Sequence, residues 1–90
     1  MREIAQTSHF KGDLRKLARS GRYDLEELLT VIEMLARGGP LPERYLDHPL
    51  AGECRDHRDC HIRYDWLLIY RLEPGRLILV RSGSHAELYK

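Results

Sequence analysis

Residues 66–82, WLLIYRLEPGRLILVRS, decide the fold of this chain. The run at 66–72 is apolar on both faces of an extended chain, which is typical of a strand at the centre of a sheet. A turn sequence, EPG at 73–75, follows it, and residues 76–82 are again rich in branched apolar side chains. The stretch therefore predicts a β-hairpin whose first strand is central.

Two helices are predicted before this hairpin. Thr7 or Ser8 can cap the first helix, and Gly21 marks its end. Asp24 is the expected N-cap of the second helix, whose apolar residues recur with a helical period until the sequence GGP at 38–40 stops it. Each helix therefore has one apolar side that can pack on a sheet.

The remaining segments are short. They are a weak strand within residues 2–7, a polar strand from Gly52 to about Asp56, a strand from Asp59 to Ile62, and a closing segment from Ala86 to Tyr89. One weak strand, two helices and an antiparallel meander make an α+β fold, in which a small antiparallel sheet carries two N-terminal helices on one face. Ninety residues leave room for one domain, residues 1–90.

Composition and charge exclude several classes of protein. No apolar run approaches the roughly 20 residues of a membrane helix, and the N-terminus lacks the apolar core of a signal peptide. The two cysteines do not form a disulfide framework. We therefore expect a cytoplasmic protein with reduced thiols and no membrane partner. A net charge of +1 argues against tight binding of free nucleic acid by bulk electrostatics.

Four of the five histidines lie in the second half of the chain among aspartates. The histidines are His48, His57, His61 and His85, and the aspartates are Asp47, Asp56, Asp59 and Asp65. Histidine has the side-chain pKa closest to neutrality, so such a cluster favours either acid–base chemistry or metal binding.

The metal alternative depends on the spacing C-x2-H-x2-C-H formed by Cys54, His57, Cys60 and His61. This spacing matches no common zinc-site pattern. A regular strand would also point Cys60 and His61 to opposite faces of the sheet. We therefore expect neither a metal nor another cofactor.

Three motifs carry a resemblance to a known family. They are DHPL at 47–50, RDCHIRYDWLLIY at 58–70 and SGSHAELY at 82–89. Their order and spacing resemble the RelE/ParE superfamily of bacterial toxins and, within it, the YafQ branch, from about Ile4 to Tyr89. The resemblance implies a RelE-like fold and a ribosome-dependent mRNA endonuclease, the toxin of a type II toxin–antitoxin system.

The resemblance also implies site residues. The matching active-site positions are His48, Asp59, His61, Asp65 and His85. Tyr89 matches the final aromatic residue that shapes the site and contacts RNA, although phenylalanine is more frequent there in the family.

The residue types in this set suit cleavage of RNA by its own 2′-hydroxyl without a metal. That reaction needs a base for the hydroxyl, a group that stabilises the phosphorane, and an acid for the leaving 5′-oxygen. We expect His85 to be the acid and either His48 or His61 to be the base, with Asp59 and Asp65 orienting the imidazoles.

Arginines are the expected phosphate ligands. Arg81 is the first candidate because it lies four residues before His85, so that both face the same way if the strand is regular. Arg58 and Arg63 are weaker candidates.

The resemblance implies partners as well. They are an antitoxin encoded next to the toxin, the ribosome with mRNA in its A site, and operator DNA bound by the toxin–antitoxin complex through the antitoxin. Two alternative functions remain open. One is a ParE-like toxin that poisons DNA gyrase by protein–protein binding, and the other is a catalytically silent relative that only binds an antitoxin.

Overall fold

The structure, a computed structural model, describes residues 1–52 and 56–89. A 3₁₀ turn at Glu43–Tyr45 precedes the second strand. The other elements, in chain order, are β1 (Glu3–Gln6), α1 (Ser8–Ser20), α2 (Leu25–Arg37), β2 (His48–Pro49), β3 (His57–Arg63), β4 (Trp66–Glu73), β5 (Arg76–Gly83) and α3 (His85–Leu88). Among these described residues, no helix has the length and apolar character needed to cross a membrane.

The sheet has five strands in the order β1-β5-β4-β3-β2, so β4 is central as predicted. Strands β2 to β5 pair antiparallel, and β4 and β5 form the predicted hairpin. Strand β1 pairs parallel with β5, which makes the sheet mixed and not wholly antiparallel. The α+β class is confirmed.

The helix boundaries follow from local chemistry. Thr7 is the N-cap of α1, and its hydroxyl accepts a 3.0 Å hydrogen bond from the Phe10 amide. The same hydroxyl donates to the Val80 carbonyl at 2.7 Å, which ties the start of the helix to β5. Asp24 caps α2 as predicted, and Gly38 ends it in the left-handed conformation that glycine adopts most easily.

The main core lies between the two long helices and one face of the sheet. Trp66, Leu68 and Tyr70 of β4 are almost fully buried there against residues such as Phe10 and Val31. Burying each large apolar side chain contributes about 1.5–3 kcal/mol. Trp66 and Tyr70 are therefore core residues.

Two local expectations need correction. Gly52 and Asp56 are not in a strand, and residues 53–55, with most of the predicted polar strand, lie outside the described residues. The closing segment is the one-turn helix α3, which begins at His85 and not at Ala86. The reason is a capping box, in which Ser84 and Glu87 satisfy each other's backbone amides. That S-x-x-E pattern was visible in the sequence.

Candidate active site

Cross-strand register assembles the site on the face of the sheet opposite the two long helices. His48 lies opposite Asp59, Asp59 opposite Ile69, and Ile69 opposite Arg81. Directly paired residues in neighbouring strands point to the same face. This row therefore runs across four strands on one side of the sheet. The adjacent row contains His61, which lies opposite Leu67.

Three predicted histidines meet on this face. The His61 ring centroid is 6.4 Å from that of His48 and 5.4 Å from that of His85. His61 therefore lies between the other two. Strands β2 and β3 supply His48 and His61, and the start of α3 supplies His85. Residues separated by up to 37 positions in sequence thus form one cluster through the turn from β5 into α3.

His48 has a defined tautomer. Its Nδ1 is 2.6 Å from the Leu46 carbonyl oxygen, which can only accept, so Nδ1 carries the proton. The Nε2 lone pair of the neutral ring is then the basic site. Leu46 has a φ of 50°, the left-handed conformation that costs a non-glycine residue roughly 1–2 kcal/mol. This strained residue places its carbonyl on the imidazole.

Asp65 binds His85 twice. Its Oδ1 accepts hydrogen bonds from the His85 backbone amide at 3.0 Å and from the ring Nδ1 at 2.8 Å. These two bonds, the backbone bond first, hold the pKa of Asp65 below its ordinary value. The carboxylate stays ionised, and it directs the His85 Nε2 away from Asp65. This contact matches the prediction that Asp65 orients an imidazole.

Asp59 has a different partner from the one predicted. Its carboxylate is only 3% exposed, and Oδ2 accepts a 2.5 Å hydrogen bond from the Tyr89 hydroxyl. Its Oδ1 finds no partner among residues 1–52 and 56–89, so no imidazole bonds to this carboxylate there. The expectation that Asp59 orients a histidine is therefore wrong, because its hydrogen-bond partner among the described residues is Tyr89. Tyr89 lies beside His85, with ring centroids 6.2 Å apart.

Each arginine predicted to bind phosphate is paired with a carboxylate. Arg81 makes two bonds to Asp13, at 2.7 and 3.0 Å. Arg58 bonds to Asp47, and it lies opposite Tyr70 on the helix-bearing face of the sheet. Arg63 pairs with Glu27 of α2.

The expectation about the strand carrying Arg81 also fails. Strand β5 has a register irregularity next to Arg81 and ends at Gly83, so the strand is not regular up to His85. Position alone therefore does not show that the two side chains face the same way.

Cys60 and His61, two of the four residues of the zinc alternative, are neighbours on β3 but point to opposite faces of the sheet. Cys60 is fully buried in the main core, whereas His61 contacts His85 on the opposite face. Burial raises the pKa of the Cys60 thiol, which keeps it protonated. Cys54 lies outside the described residues. His57 bonds to Asp56 at 2.8 Å.

A groove of about 900 Å³ extends from the histidines toward α2. His61, Asp65 and His85 are among its lining residues. The remaining lining residues are Glu27, Thr30, Arg44, Tyr45, Leu46, Ile62, Arg63 and Tyr64. Tyr45 is a buried core residue, whereas the Tyr64 ring is almost fully exposed. The groove gives an extended polymer access to His61 and His85.

Sequence reasoning missed a buried polar network behind the site. The Asp13 carboxylate accepts from Arg81 and from the Ser82 amide, and Ser82 also bonds to Trp66 Nε1 at 3.0 Å. Asp13 and Ser82 are both buried. A lone aspartate on the apolar side of α1 was the available signal, since a buried charge requires partners.

Comparison with known proteins identifies the class. The sequence matches, over residues 2–90, the family described as "Bacterial toxin of type II toxin-antitoxin system, YafQ". It is 37% identical over 89 residues to the mRNA interferase toxin YafQ of Escherichia coli K12, covering 98% of this chain and 96% of that protein. This chain belongs to the YafQ family of bacterial type II toxins.

Solved structures agree. YafQ in the E. coli DinJ–YafQ complex superposes with a TM-score of 0.89 at 36% identity, covering all of both chains. A metal-bound toxin from Helicobacter pylori superposes with a TM-score of 0.92 at 42% identity, covering 99% of this chain and all of that one. The YafQ-like resemblance read from the sequence is confirmed.

Proposed function

We propose that this endoribonuclease toxin cleaves mRNA on the ribosome, by attack of the RNA's own 2′-hydroxyl and without a metal. The observation that carries the proposal is the cluster of His48, His61 and His85, in which two imidazoles have their Nδ1 engaged and their Nε2 directed elsewhere. Positioned acids and bases of this kind each contribute roughly 10²–10⁴-fold in rate.

His48 is the proposed base. The Leu46 carbonyl holds the proton on Nδ1, so Nε2 is unprotonated in the neutral ring and can accept the 2′-hydroxyl proton. No comparable contact fixes the tautomer of His61 in the described part of the chain. We assign His61, which lies between the other two rings, to hydrogen bonding with the phosphorane oxygens.

His85 is the proposed acid. The ionised Asp65 accepts from Nδ1 and so directs Nε2 away from itself, and in the imidazolium form Nε2 carries the second proton. That proton passes to the 5′-oxygen as its bond to phosphorus breaks. Asp65 supplies negative charge and orientation, and it does not exchange a proton in this scheme.

Arg81 is the strongest of the three candidate phosphate ligands. It belongs to the row that contains His48 and Asp59, and its bonds to Asp13 use Nε and Nη2, so Nη1 can donate to a phosphate. Arg63 lines the groove but is paired with Glu27. Arg58 lies on the other face, which weakens its case. The Tyr89 ring, 46% exposed beside His85, would contact RNA.

The ribosome would supply the affinity for RNA that the charge of this chain does not provide. A net charge of +1 gives little affinity for free RNA, because affinity for phosphate backbones scales with the number of cations that contact them. We infer that the ribosomal A site presents the mRNA to the histidine groove, which would place the activity in the cytoplasm.

An antitoxin is the second proposed partner. The E. coli relative was solved in complex with DinJ, and the family is defined by toxin–antitoxin pairs. We propose that an antitoxin encoded beside this chain binds it and that their complex contacts operator DNA through the antitoxin.

Toeprinting of a defined mRNA on programmed ribosomes tests the proposal. Wild-type protein should cut only when ribosomes are present, His85→Ala should cut at least 100-fold more slowly, and His9→Ala, at an exposed position on α1, should match wild type. A chelator of transition metals that spares magnesium should change nothing. Equal cutting of naked mRNA would refute ribosome dependence. No cutting combined with intact toxicity in cells would favour the gyrase alternative.

A further inference from the structure

Asp59 is a buried carboxylate with a single hydrogen bond within the described residues. It is 3% exposed, Oδ2 accepts from the Tyr89 hydroxyl at 2.5 Å, and Oδ1 has no partner there. A buried charge is stable only when other groups compensate for its lost hydration, and removing a partner leaves the remaining charge uncompensated. The hydrogen bond from the Tyr89 hydroxyl therefore compensates in part for the lost hydration of the Asp59 carboxylate.

Tyr89 lies at the end of the segment that carries His85. Its backbone amide donates to the His85 carbonyl at 2.8 Å, which closes the single turn of α3. A helix of four residues is too short to be stable alone, because nucleation is unfavourable and propagation adds few bonds. The position of His85 must therefore be set by contacts from outside α3.

Among the described residues, a hydrogen-bonded contact of this kind lies at each end of the helix. At its start, Asp65 binds the amide and the ring of His85. At its end, the Tyr89 hydroxyl binds Asp59, which lies opposite His48 and two residues before His61 on β3. The second contact therefore connects the segment carrying the proposed acid to the strands carrying the other two histidines.

We propose that the Tyr89–Asp59 hydrogen bond is a clasp that holds α3 against β3 and so sets the distance between His85 and His61. Tyr89 is then a positioning residue, and its role in catalysis rests on the proposed ribonuclease function. Its hydroxyl acts on Asp59 and not on the RNA phosphate, because the hydroxyl proton is already donated to a carboxylate whose charge repels phosphate.

The substitution Tyr89→Phe isolates the clasp, since it removes one oxygen and keeps the ring. Tyr23→Phe is the matched control because it makes the same change at a tyrosine outside the groove, whose ring packs on Trp66 with centroids 4.9 Å apart. The first readout needs no RNA. We expect Tyr89→Phe to increase hydrogen exchange at the Leu88 and Tyr89 amides about tenfold and to weaken the nuclear Overhauser contacts between the His61 and His85 rings. Such a tenfold change corresponds to about 1.4 kcal/mol, just below the range of roughly 1.5–3 kcal/mol for a hydrogen bond to a charged group.

The second readout is single-turnover cleavage on the ribosome. Tyr89→Phe should lower the rate at saturating toxin about tenfold with little change in the half-saturating concentration, because the RNA contacts stay in place. Tyr23→Phe should leave the rate at saturation unchanged. If Tyr89→Phe raised the half-saturating concentration and left the rate at saturation unchanged, the positioning role would be overturned. That result would indicate that the hydroxyl contacts RNA.

A double-mutant cycle with Asp59→Asn measures the coupling between the two residues. It tests the proposal even if the single variants differ in stability. Tyr89→Phe should change amide exchange less in the Asp59→Asn background than in wild type, because the two residues act through one bond. Equal effects in both backgrounds would overturn the clasp. If wild type cleaves no RNA at all, the exchange and Overhauser data still decide whether the clasp exists, so the two proposals fail separately.

Discussion

The hydroxyl of Tyr70 donates a 2.6 Å hydrogen bond to Oδ1 of Asp47, the residue immediately before His48. Tyr70 is buried in the central strand, and the same Asp47 oxygen also accepts from Arg58 at 3.2 Å. Burial, together with the neighbouring Asp47 carboxylate, raises the pKa of Tyr70, so the phenol remains a donor at any working pH. The loop that carries the proposed base is therefore anchored to the core.

Tyr70→Phe should test this anchor. We expect a loss of about 1–3 kcal/mol in the free energy of unfolding, because a half-buried carboxylate loses its strongest neutral donor. Cleavage on the ribosome should also slow, since His48 loses its support. Denaturant titration and toeprinting measure the two effects. Tyr23→Phe is the control because its ring packs on Trp66 with centroids 4.9 Å apart, and it should be close to neutral. A neutral Tyr70→Phe would contradict the anchor.

His48→Gln should abolish most cleavage while leaving the fold intact. Glutamine keeps a donor for the Leu46 carbonyl but supplies no base, so the rate should fall by roughly 10²–10⁴-fold. The exposed position of β2 makes a large change in stability unexpected. Single-turnover cleavage together with circular dichroism would check both statements. Retained activity would transfer the role of base to His61, for which His61→Gln is the direct comparison.

The pKa of Asp65 predicts a pH dependence of stability. Hydrogen bonds from the His85 amide and ring hold this pKa below its ordinary value of 3.8 in the folded chain. The contribution of Asp65 to stability is therefore fully present above that ordinary value and is lost as pH falls through the lowered folded pKa. We expect wild type to be more stable than Asp65→Asn near neutral pH, and the difference to shrink as the pH falls below 3.8.

Denaturant titrations of both proteins across that range make the measurement. The difference should also decrease with added salt, because both side chains of the pair are about half exposed. A difference that grows as the pH falls would contradict the assignment.

Among the ion pairs of residues 1–52 and 56–89, Arg81–Asp13 should be the one whose loss destabilises the fold most. The Asp13 side chain is 9% exposed and accepts from the Arg81 guanidinium and the Ser82 amide. Asp13→Ala should cost about 3–5 kcal/mol in the free energy of unfolding, because it leaves a partly buried guanidinium without its partner.

The matched control is Glu33→Ala, which breaks the exposed pair of Glu33 with Arg37 and should cost about 0.5 kcal/mol or less. Thermal or denaturant unfolding of the two variants gives the comparison. Similar losses of unfolding free energy in Asp13→Ala and Glu33→Ala would show that burial does not determine how much an ion pair contributes here.

Local sequence features predicted much of the fold. Thr7, Asp24 and Gly38 cap their helices as expected, because capping depends on residues within one turn. The mostly apolar run at 66–72 predicted a central strand, because a strand that is buried on both faces needs apolar residues on both. The histidine cluster was also predicted as a set, through the family motifs that carry those residues.

The partners of individual side chains were decided by tertiary structure. Arg81 lies 68 residues from Asp13, and Asp59 lies 30 residues from Tyr89, so no local pattern connects either pair. Strand register and the turn from β5 into α3 bring these groups together, and burial then selects the partner, because a charge removed from water requires one. The sequence by itself determined the elements, their order and the residues available for chemistry. Only the three-dimensional arrangement decided that Asp65 orients His85, that Asp59 binds Tyr89, and that three candidate phosphate ligands pair first with carboxylates of their own chain.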